Sequence, residues 1–212
     1  MVSSLVSSAT TISTSIITGT GEKKCSPRTR LGAWTACASS AIGIEDVFEA
    51  TIAELAQAIR MPERVLGLHF FSPVPVMMLV EVVVALDTSE RTVESAKAFV
   101  HKLGKRPIET KDRSGFIVNM LLVPYLMAAV RMYEEGFASR EDIDNGMKLG
   151  CGHPMGPLAL CDFIGLDVLY AVCDSLYEEF KRDEYAPPPL MKRMVASGRL
   201  GRKSGRGFYD YV

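Results

Sequence analysis

The chain contains 212 residues, of which 48% are hydrophobic and 23% are charged, a composition typical of a globular protein with a substantial core. Its formal net charge of −1 gives no electrostatic basis for binding nucleic acid or an acidic membrane surface. The five cysteines form no C-x-x-C pair, which argues against a zinc site or any other metal centre and predicts reduced thiols in a cytoplasmic compartment.

Residues 1–44 are rich in Ser, Thr and Ala and show no helical period. Their only acidic residue is Glu22, and no charged residue precedes it. The absence of a basic start argues against a secretory signal, whereas a Ser-rich and acid-poor segment leaves a transit peptide as an alternative. The composition favours an irregular or disordered leader.

Residues 45–111 have the pattern of an α/β unit. Apolar residues at helical spacing predict a first helix in "EDVFEATIAELAQAIR", and two short apolar runs, "RVLGLHFF" and "LVEVVVAL", predict buried strands. A second helix is predicted in "SERTVESAKAFVHKLG", with Ser89 as N-cap and Gly104 just past the end. The segment "RPIET" predicts a final strand, and this order indicates an α/β fold.

Residues 112–212 are predicted to be entirely helical. The 15-residue apolar run Phe116–Val130 is shorter than the roughly 20 residues of a membrane span, and therefore predicts a buried helix. Ser139 and Asp142 have the spacing of a helix cap. Two helices are predicted in "MGPLALCDFIGLDVLYAVCDSLYEEF", and a last one begins after three prolines in "APPPLMKRMVASG".

One stretch, "HFFSPVPVMMLVE", has an ionisable residue at each end and none between. His69 and Glu81 can meet only if the chain reverses, and Pro73 and Pro75 favour a reversal. The spacing therefore predicts two strands that bring the imidazole and the carboxylate face to face. Two interpretations remain: a catalytic acid–base pair, or a core histidine hydrogen-bonded to backbone with Glu81 at a strand edge.

Four segments follow one another along the chain: "RVLGLHFFSPVPVMMLVEVV", "SGFIVN", "GHPMGPLALCDFIGLD" and "GRKSGRGFYDY". Together and in this order they resemble the 3-hydroxyacyl-CoA dehydrogenase family, and its short-chain bacterial members in particular. The resemblance implies a Rossmann-type NAD-binding domain followed by an all-α dimerisation domain. It further implies that residues 45–111 are only the C-terminal remnant of the nucleotide domain and that residues 112–212 are the complete helical domain.

The resemblance also implies roles for individual residues. His69 and Glu81 fall on the family's catalytic pair, Asn119 and Ser72 on substrate-binding positions, and Lys203 on a position near the cofactor pyrophosphate. The implied cofactor is NAD or NADP, the implied substrate is an acyl-CoA such as 3-hydroxybutyryl-CoA, and the implied assembly is a homodimer.

The chain has no clear dinucleotide fingerprint. The only candidate for the G-x-G-x-x-G motif is "GTGEKK" at residues 19–24. Lys24 stands where the motif has its third glycine, and no helical period follows. The sequence thus predicts a truncated and inactive member of an enzyme family. The alternative is a non-catalytic helical dimerisation module.

Overall fold

The structure is a computed structural model that describes residues 13–18, 52–57 and 59–211. The chain divides into two compact units, the α/β unit of residues 1–116 and the helical unit of residues 117–212. The sequence pattern predicts the end of the α/β segment at Lys111, five residues before the boundary at Phe116. An α/β part followed by an all-α part is the predicted fold class, which is confirmed.

The described residues of the α/β unit form one four-stranded sheet whose strands lie side by side in chain order. The strands are β1 (Ser13–Thr18), β2 (Val65–Phe70), β3 (Leu79–Val84) and β4 (Arg106–Lys111). The pairs β1–β2 and β2–β3 are antiparallel, and β3–β4 is parallel. Helix α1 (Ile52–Gln57) precedes β2 after a short 3₁₀ turn at Pro62–Arg64, and α2 (Glu90–Lys102) connects β3 to β4.

Strand β1 differs from the expectation of an irregular leader. Its six residues pair in register with all of β2, from Ser13 opposite Phe70 to Thr18 opposite Val65. The segment "STSIIT" is rich in β-branched residues, which favour strands, so a partner edge suffices to order it. Residues 1–12 and 19–51, which include the GTGEKK segment, lie outside the described ranges.

Both faces of the two central strands are covered, which explains why β2 and β3 are almost continuously apolar. Alternate residues of β2 and β3 form two separate clusters. One cluster contains Ile52 and Leu55 of α1 against Val65 and Val83. The other faces α2 and consists of Leu66, Leu68, Val80, Val82, Ala96 and Val100. His69 and Glu81 have the same strand parity as Val65 and Val83, so they belong to the α1 side.

The chain reverses between β2 and β3 as the prolines predict. The carbonyl of Pro73 accepts hydrogen bonds from the amides of Val76 and Met77, both at 3.0 Å. Lys105, which follows α2 in the chain, fixes this loop, because its Nζ donates to the carbonyls of Val74 and Met77 at 2.6 Å each. The strands on either side are thereby held in a single register.

Side-chain caps define the helix ends of the α/β unit. Ser89 caps α2 by accepting from the Thr92 amide, and Gly104 follows the helix with φ +73°, so both predicted signals are confirmed. Helix α1 is described over six of the sixteen residues predicted for it. Its first turn is capped from a distance by Asp112, whose two oxygens accept from the amides of Ile52 and Ala53.

The helical unit contains five helices, and no strand is assigned between residues 117 and 211. They are α3 (Val118–Glu134), α4 (Arg140–Cys151), α5 (Pro157–Ile164), α6 (Leu166–Phe180) and α7 (Pro189–Ala196). Ser139 caps α4 by accepting from the Asp142 amide, as predicted. Within the described ranges no helix is long and apolar enough to cross a membrane.

Two buried carboxylates organise this unit. Asp144 in α4 accepts from the amides of Leu158 and Ala159 at 2.7 and 3.0 Å, and so caps the N-terminus of α5. Its Oδ2 also accepts from the Tyr209 hydroxyl at 2.9 Å. These bonds join three separate chain segments around a side chain that is 5% exposed.

Asp162 in α5 holds the C-terminal tail. Its oxygens accept from the amides of Phe208 and Tyr209 and from the Tyr211 hydroxyl, each at 2.9 Å. Burial and this hydrogen bond to Asp162 raise the pKa of Tyr211 to about 12, so the phenol stays protonated as a donor. Phe208 itself packs in the hydrophobic core of the helical unit.

Gly156 is required by the contact between α4 and α5. A Cβ at this position would lie 2.3 Å from Cβ of Asp144 and 2.5 Å from its Cα. We expect Gly156→Ala to lower the free energy of unfolding by about 2–3 kcal/mol or more, because backbone must move and the α5 cap is lost. Urea denaturation followed by circular dichroism measures the change.

Gly146→Ala is the matched control for this prediction. Gly146 lies inside α4, and an added Cβ there meets nothing within 4 Å. The control is expected to raise stability by about 0.5–1 kcal/mol, because alanine favours a helix interior. Equal stability of the two variants would contradict the proposed contact.

Candidate active site

His69 and Glu81 lie directly opposite one another on the antiparallel strands β2 and β3. His69 Nδ1 is 2.6 Å from Glu81 Oε2, a short hydrogen bond between groups that are 1% and 0% exposed. The prediction that the chain doubles back to bring these groups together is confirmed. Their register is set by the turn at Pro73 and by the period-2 alternation of the two strands.

This geometry determines which imidazole nitrogen is free for chemistry. An ionised carboxylate only accepts hydrogen bonds, so the proton on the Glu81 side belongs to Nδ1 of His69. Nε2 is then the basic nitrogen of the neutral ring, able to accept a proton while Glu81 stabilises the resulting imidazolium. Such an arrangement can serve as a general base with an orienting carboxylate.

The surroundings of the imidazole are aromatic. Its ring centroid lies 4.6 Å from that of Phe71 and 5.2 Å from that of Phe116, both tilted. Such packing restricts the imidazole to one orientation and lowers the local dielectric, which strengthens the interaction with the carboxylate.

Ser72 lies in the exposed loop that follows β2, three residues after His69. It precedes Pro73 through a cis peptide bond. Lys105, which the sequence analysis did not single out, holds this loop by contacts that span 28 and 31 residues along the chain. No local sequence signal marks a contact of that range.

Asn119 and Lys203 both belong to the helical unit. Asn119 is half-buried in the first turn of α3. Lys203 is exposed, and its Nζ lies 2.5 and 2.6 Å from the two carboxylate oxygens of Asp167 at the start of α6. Burial opposes ionisation of Asp167, but this partner and nearby backbone amides outweigh it and lower the carboxyl pKa.

The part of the chain that the structure describes contains no candidate metal site. Within it, no three His, Cys, Asp or Glu side chains form a group that could hold a metal ion. His153 accepts or donates a 3.1 Å hydrogen bond with the Tyr125 hydroxyl in the helical unit.

Comparison with known proteins matches two models of one family to consecutive parts of the chain. The NAD-binding domain of 3-hydroxyacyl-CoA dehydrogenase matches residues 35–113, and the C-terminal domain of the same enzyme matches residues 115–211. The chain belongs to the 3-hydroxyacyl-CoA dehydrogenase family. The match to the NAD-binding domain begins at residue 35. The sequence pattern predicts that the α/β segment starts at Glu45, ten residues later.

Individual relatives agree with this assignment. A 3-hydroxybutyryl-CoA dehydrogenase of Mycobacterium tuberculosis is 54% identical over 161 residues, which are 76% of this chain and 56% of the relative. The mitochondrial hydroxyacyl-coenzyme A dehydrogenase of Homo sapiens is 50% identical over 76% of this chain and 51% of its own length. The chain therefore spans little more than half the length of the curated relatives it matches.

Solved structures show the same coverage. The crystal structure of M. tuberculosis FadB2 superposes with a TM-score of 0.75 at 53% identity, over 77% of this chain and 58% of that one. The (S)-3-hydroxybutyryl-CoA dehydrogenase PaaH1 from Ralstonia eutropha gives a TM-score of 0.74 at 50% identity over the same shares.

The family's cofactor is NAD, as the description of the N-terminal match states. A dinucleotide is normally held by backbone amides of a glycine-rich turn between a strand and a helix start. Within the described α/β unit, the β3–α2 turn, residues 85–89, contains no glycine, and Ser89 already caps the helix. The described residues therefore do not fit the pyrophosphate of a dinucleotide.

The buried pair generates a stability prediction. We expect Glu81→Ala to lower the free energy of unfolding by about 1–3 kcal/mol, because the buried N–H at Nδ1 of His69 is left without its acceptor. Glu81→Gln is expected to cost less, since its amide oxygen still accepts from Nδ1. Thermal and urea denaturation measure both variants.

Glu94→Ala provides the control, because Glu94 forms an exposed ion pair with Lys97 in α2. Its effect is expected to stay within about 0.5 kcal/mol. A Glu81→Ala variant as stable as this control would show that the His69–Glu81 bond does not hold β2 and β3 together.

Proposed function

We propose that the function is that of the family: oxidation of the 3-hydroxyl of an acyl-CoA thioester, such as 3-hydroxybutyryl-CoA, to the 3-keto thioester with NAD or NADP. We further propose that the 212-residue chain by itself lacks this activity. The observation that supports the catalytic assignment is the 2.6 Å contact between His69 Nδ1 and Glu81 Oε2 across paired strands.

The residues of the chain contribute the proton chemistry. In the proposed reaction His69 Nε2 removes the hydroxyl proton of the substrate, and in the reverse direction it returns that proton to the carbonyl oxygen. Glu81 keeps the ring in the reactive tautomer and stabilises its positive charge during the transfer. The buried surroundings make this electrostatic contribution larger than it would be in water.

Three further residues are proposed to bind ligands. Asn119, half-buried at the start of α3, offers both a donor and an acceptor for the substrate, and Ser72 offers an exposed hydroxyl. Lys203 is proposed to approach the cofactor pyrophosphate. Its ammonium group is already paired with Asp167, so it would have to share its charge with a phosphate.

The proposed inactivity follows from the cofactor. Proton removal at the hydroxyl has no consequence unless a hydride acceptor is held within about 3–3.5 Å of the reacting carbon. The sequence has no intact G-x-G-x-x-G, and the described residues do not fit a pyrophosphate. Lys203 cannot replace a ring of backbone amides at a helix start.

We expect no NADH production when the 212-residue chain is mixed with NAD and 3-hydroxybutyryl-CoA. We expect activity from a fusion in which the N-terminal segment of the M. tuberculosis relative is placed before residue 52. In that fusion, His69→Gln should lower kcat/KM by about 10²–10⁴-fold, the range expected for a general base. NADH absorbance measures each rate.

His101→Gln is the control for the fusion experiment, because His101 is exposed on α2. Its rate should equal that of the unmodified fusion, and circular dichroism should show the same helix content for all variants. NADH production by the 212-residue chain would contradict the proposed inactivity. Near-full activity of the His69→Gln fusion would contradict the assigned base.

A helical dimerisation module is the second candidate function, and exposed apolar residues favour it. In the helical unit, Leu121, Phe137 and Leu149 are 73%, 77% and 85% exposed. Large contiguous apolar patches mark interaction surfaces, and we propose that these side chains belong to such a patch. We propose that a homodimer forms through this unit, α3 contributing Leu121.

Analytical ultracentrifugation tests the homodimer. The unmodified chain should sediment as a dimer, and Leu121→Glu should shift the equilibrium towards monomer, because a charge would be buried at the interface. Leu86→Glu is the control, since Leu86 is 95% exposed in the other unit. A monomer at high concentration, or an equal effect of both substitutions, would argue against this interface.

A reducing, cytoplasmic compartment is also part of the proposal. Cys161 and Cys173 are buried free thiols in the core of the helical unit, and Cys151 is a free exposed one. Burial raises the pKa of Cys173 to about 12, which keeps it protonated and unreactive. Free thiols of this kind are typical of proteins kept in reducing surroundings.

A further inference from the structure

A small cavity in the helical unit is lined by three arginines. It measures about 120 Å³, several times the 10–15 Å³ of such space that a single water needs. Arg140 begins α4, Arg199 follows α7, and Arg206 lies in the C-terminal tail. The remaining lining residues are Tyr133, Leu190, Met194, Gly207, Phe208 and Asp210.

The walls of this cavity carry a net positive charge. Asp210 is its only acidic lining residue, and its carboxylate is paired with Nε of Arg206 at 3.0 Å. Glu141, which does not line the cavity, accepts from Nε of Arg140 at 2.7 Å. The three guanidinium groups therefore outnumber the two carboxylates, of Asp210 and Glu141, that pair with them.

Many guanidinium N–H groups remain available. Arg140 uses Nε for Glu141 and Nη1 for the carbonyl of Phe208. Within residues 59–211, neither a hydrogen bond nor an ion pair is recorded for the side chain of Arg199, which is exposed at the cavity. Each guanidinium has five donors, so the three groups provide more donors than these partners use.

Arg140 is fixed in position by the fold. It stacks over the Tyr209 ring, with Cζ 4.9 Å from the centroid, while its Nη1 is bound to the Phe208 carbonyl of the tail. The tail is itself held by Asp162 through the Phe208 and Tyr209 amides. The cavity is therefore assembled from preordered elements, so that binding has a low conformational cost.

We propose that this cavity binds a phosphate group. Planar guanidinium groups match the oxygens of phosphate, several of them together favour a dianion over a carboxylate, and the apolar side chains of the lining weaken screening by water. The phosphate can be inorganic or part of an ester whose apolar portion contacts Leu190 and Met194. The cavity is formed by residues of the helical unit, whereas His69 and Glu81 belong to the α/β unit, and the proposal does not rest on the proposed dehydrogenase activity.

Isothermal titration calorimetry of the 212-residue chain at low ionic strength tests the proposal with inorganic phosphate and with phenyl phosphate. We expect saturable binding of at least one probe with one site per chain. Tighter binding of phenyl phosphate would indicate an ester as ligand, and equal affinities would indicate the phosphate group alone. Arg199→Gln should weaken binding about tenfold, because a charge-assisted hydrogen bond is lost.

Arg182→Gln is the matched control, since Arg182 is exposed in the same unit and pairs only with Glu184 among the described residues. It should leave the affinity unchanged. Arg199→Gln is expected to keep the thermal stability of the unmodified chain, which separates a binding defect from misfolding. Absence of saturable binding, or equal losses in both variants, would overturn the proposal. So would a change in self-association of Arg199→Gln without phosphate binding, because the cavity would then be a protein contact.

Discussion

The carboxylates of Glu81, Asp144 and Asp162 are buried, and the fold around each is arranged to keep it hydrogen-bonded. An isolated buried charge costs several kcal/mol, so the groups that satisfy it cannot move independently. In the α/β unit this constraint ties β2 to β3 through His69. In the helical unit it ties α4 to α5 and α5 to the C-terminal tail.

The same constraint separates the roles of the three carboxylates. Asp144 and Asp162 each receive at least two backbone amides, which are donors without proton chemistry of their own at neutral pH. Glu81 instead faces an imidazole, a group with two ring nitrogens that can accept and pass on a proton. The proposed chemistry is therefore assigned to the carboxylate that is paired with the imidazole. The other two, which accept from backbone amides and tyrosine hydroxyls, are proposed to be structural.

Sequence reasoning succeeded where a signal is local. The caps at Ser89 and Ser139 depend on residues three positions apart, and the reversal before Glu81 depends on prolines inside the loop. The sequence also predicted the contact between His69 and Glu81, because both residues lie in one motif. Sequence reasoning failed where the two partners of a contact lie far apart along the chain. Lys105 on the loop carbonyls and Asp162 on the tail span 28 to 49 residues, and nothing in their local sequence specifies those partners. Strand β1 was missed for the same reason, since a short β-branched segment becomes a strand only when an edge is available.

The attachment of residues 208–211 to Asp162 has a consequence for how the helical unit opens. The donors for this carboxylate of α5 lie 46 to 49 residues further along the chain. Detachment of the segment would leave the buried carboxylate without these donors and would expose the core position of Phe208. Its release is therefore coupled to opening of the core. The segment and α5 should exchange their amide hydrogens together, as one cooperative unit.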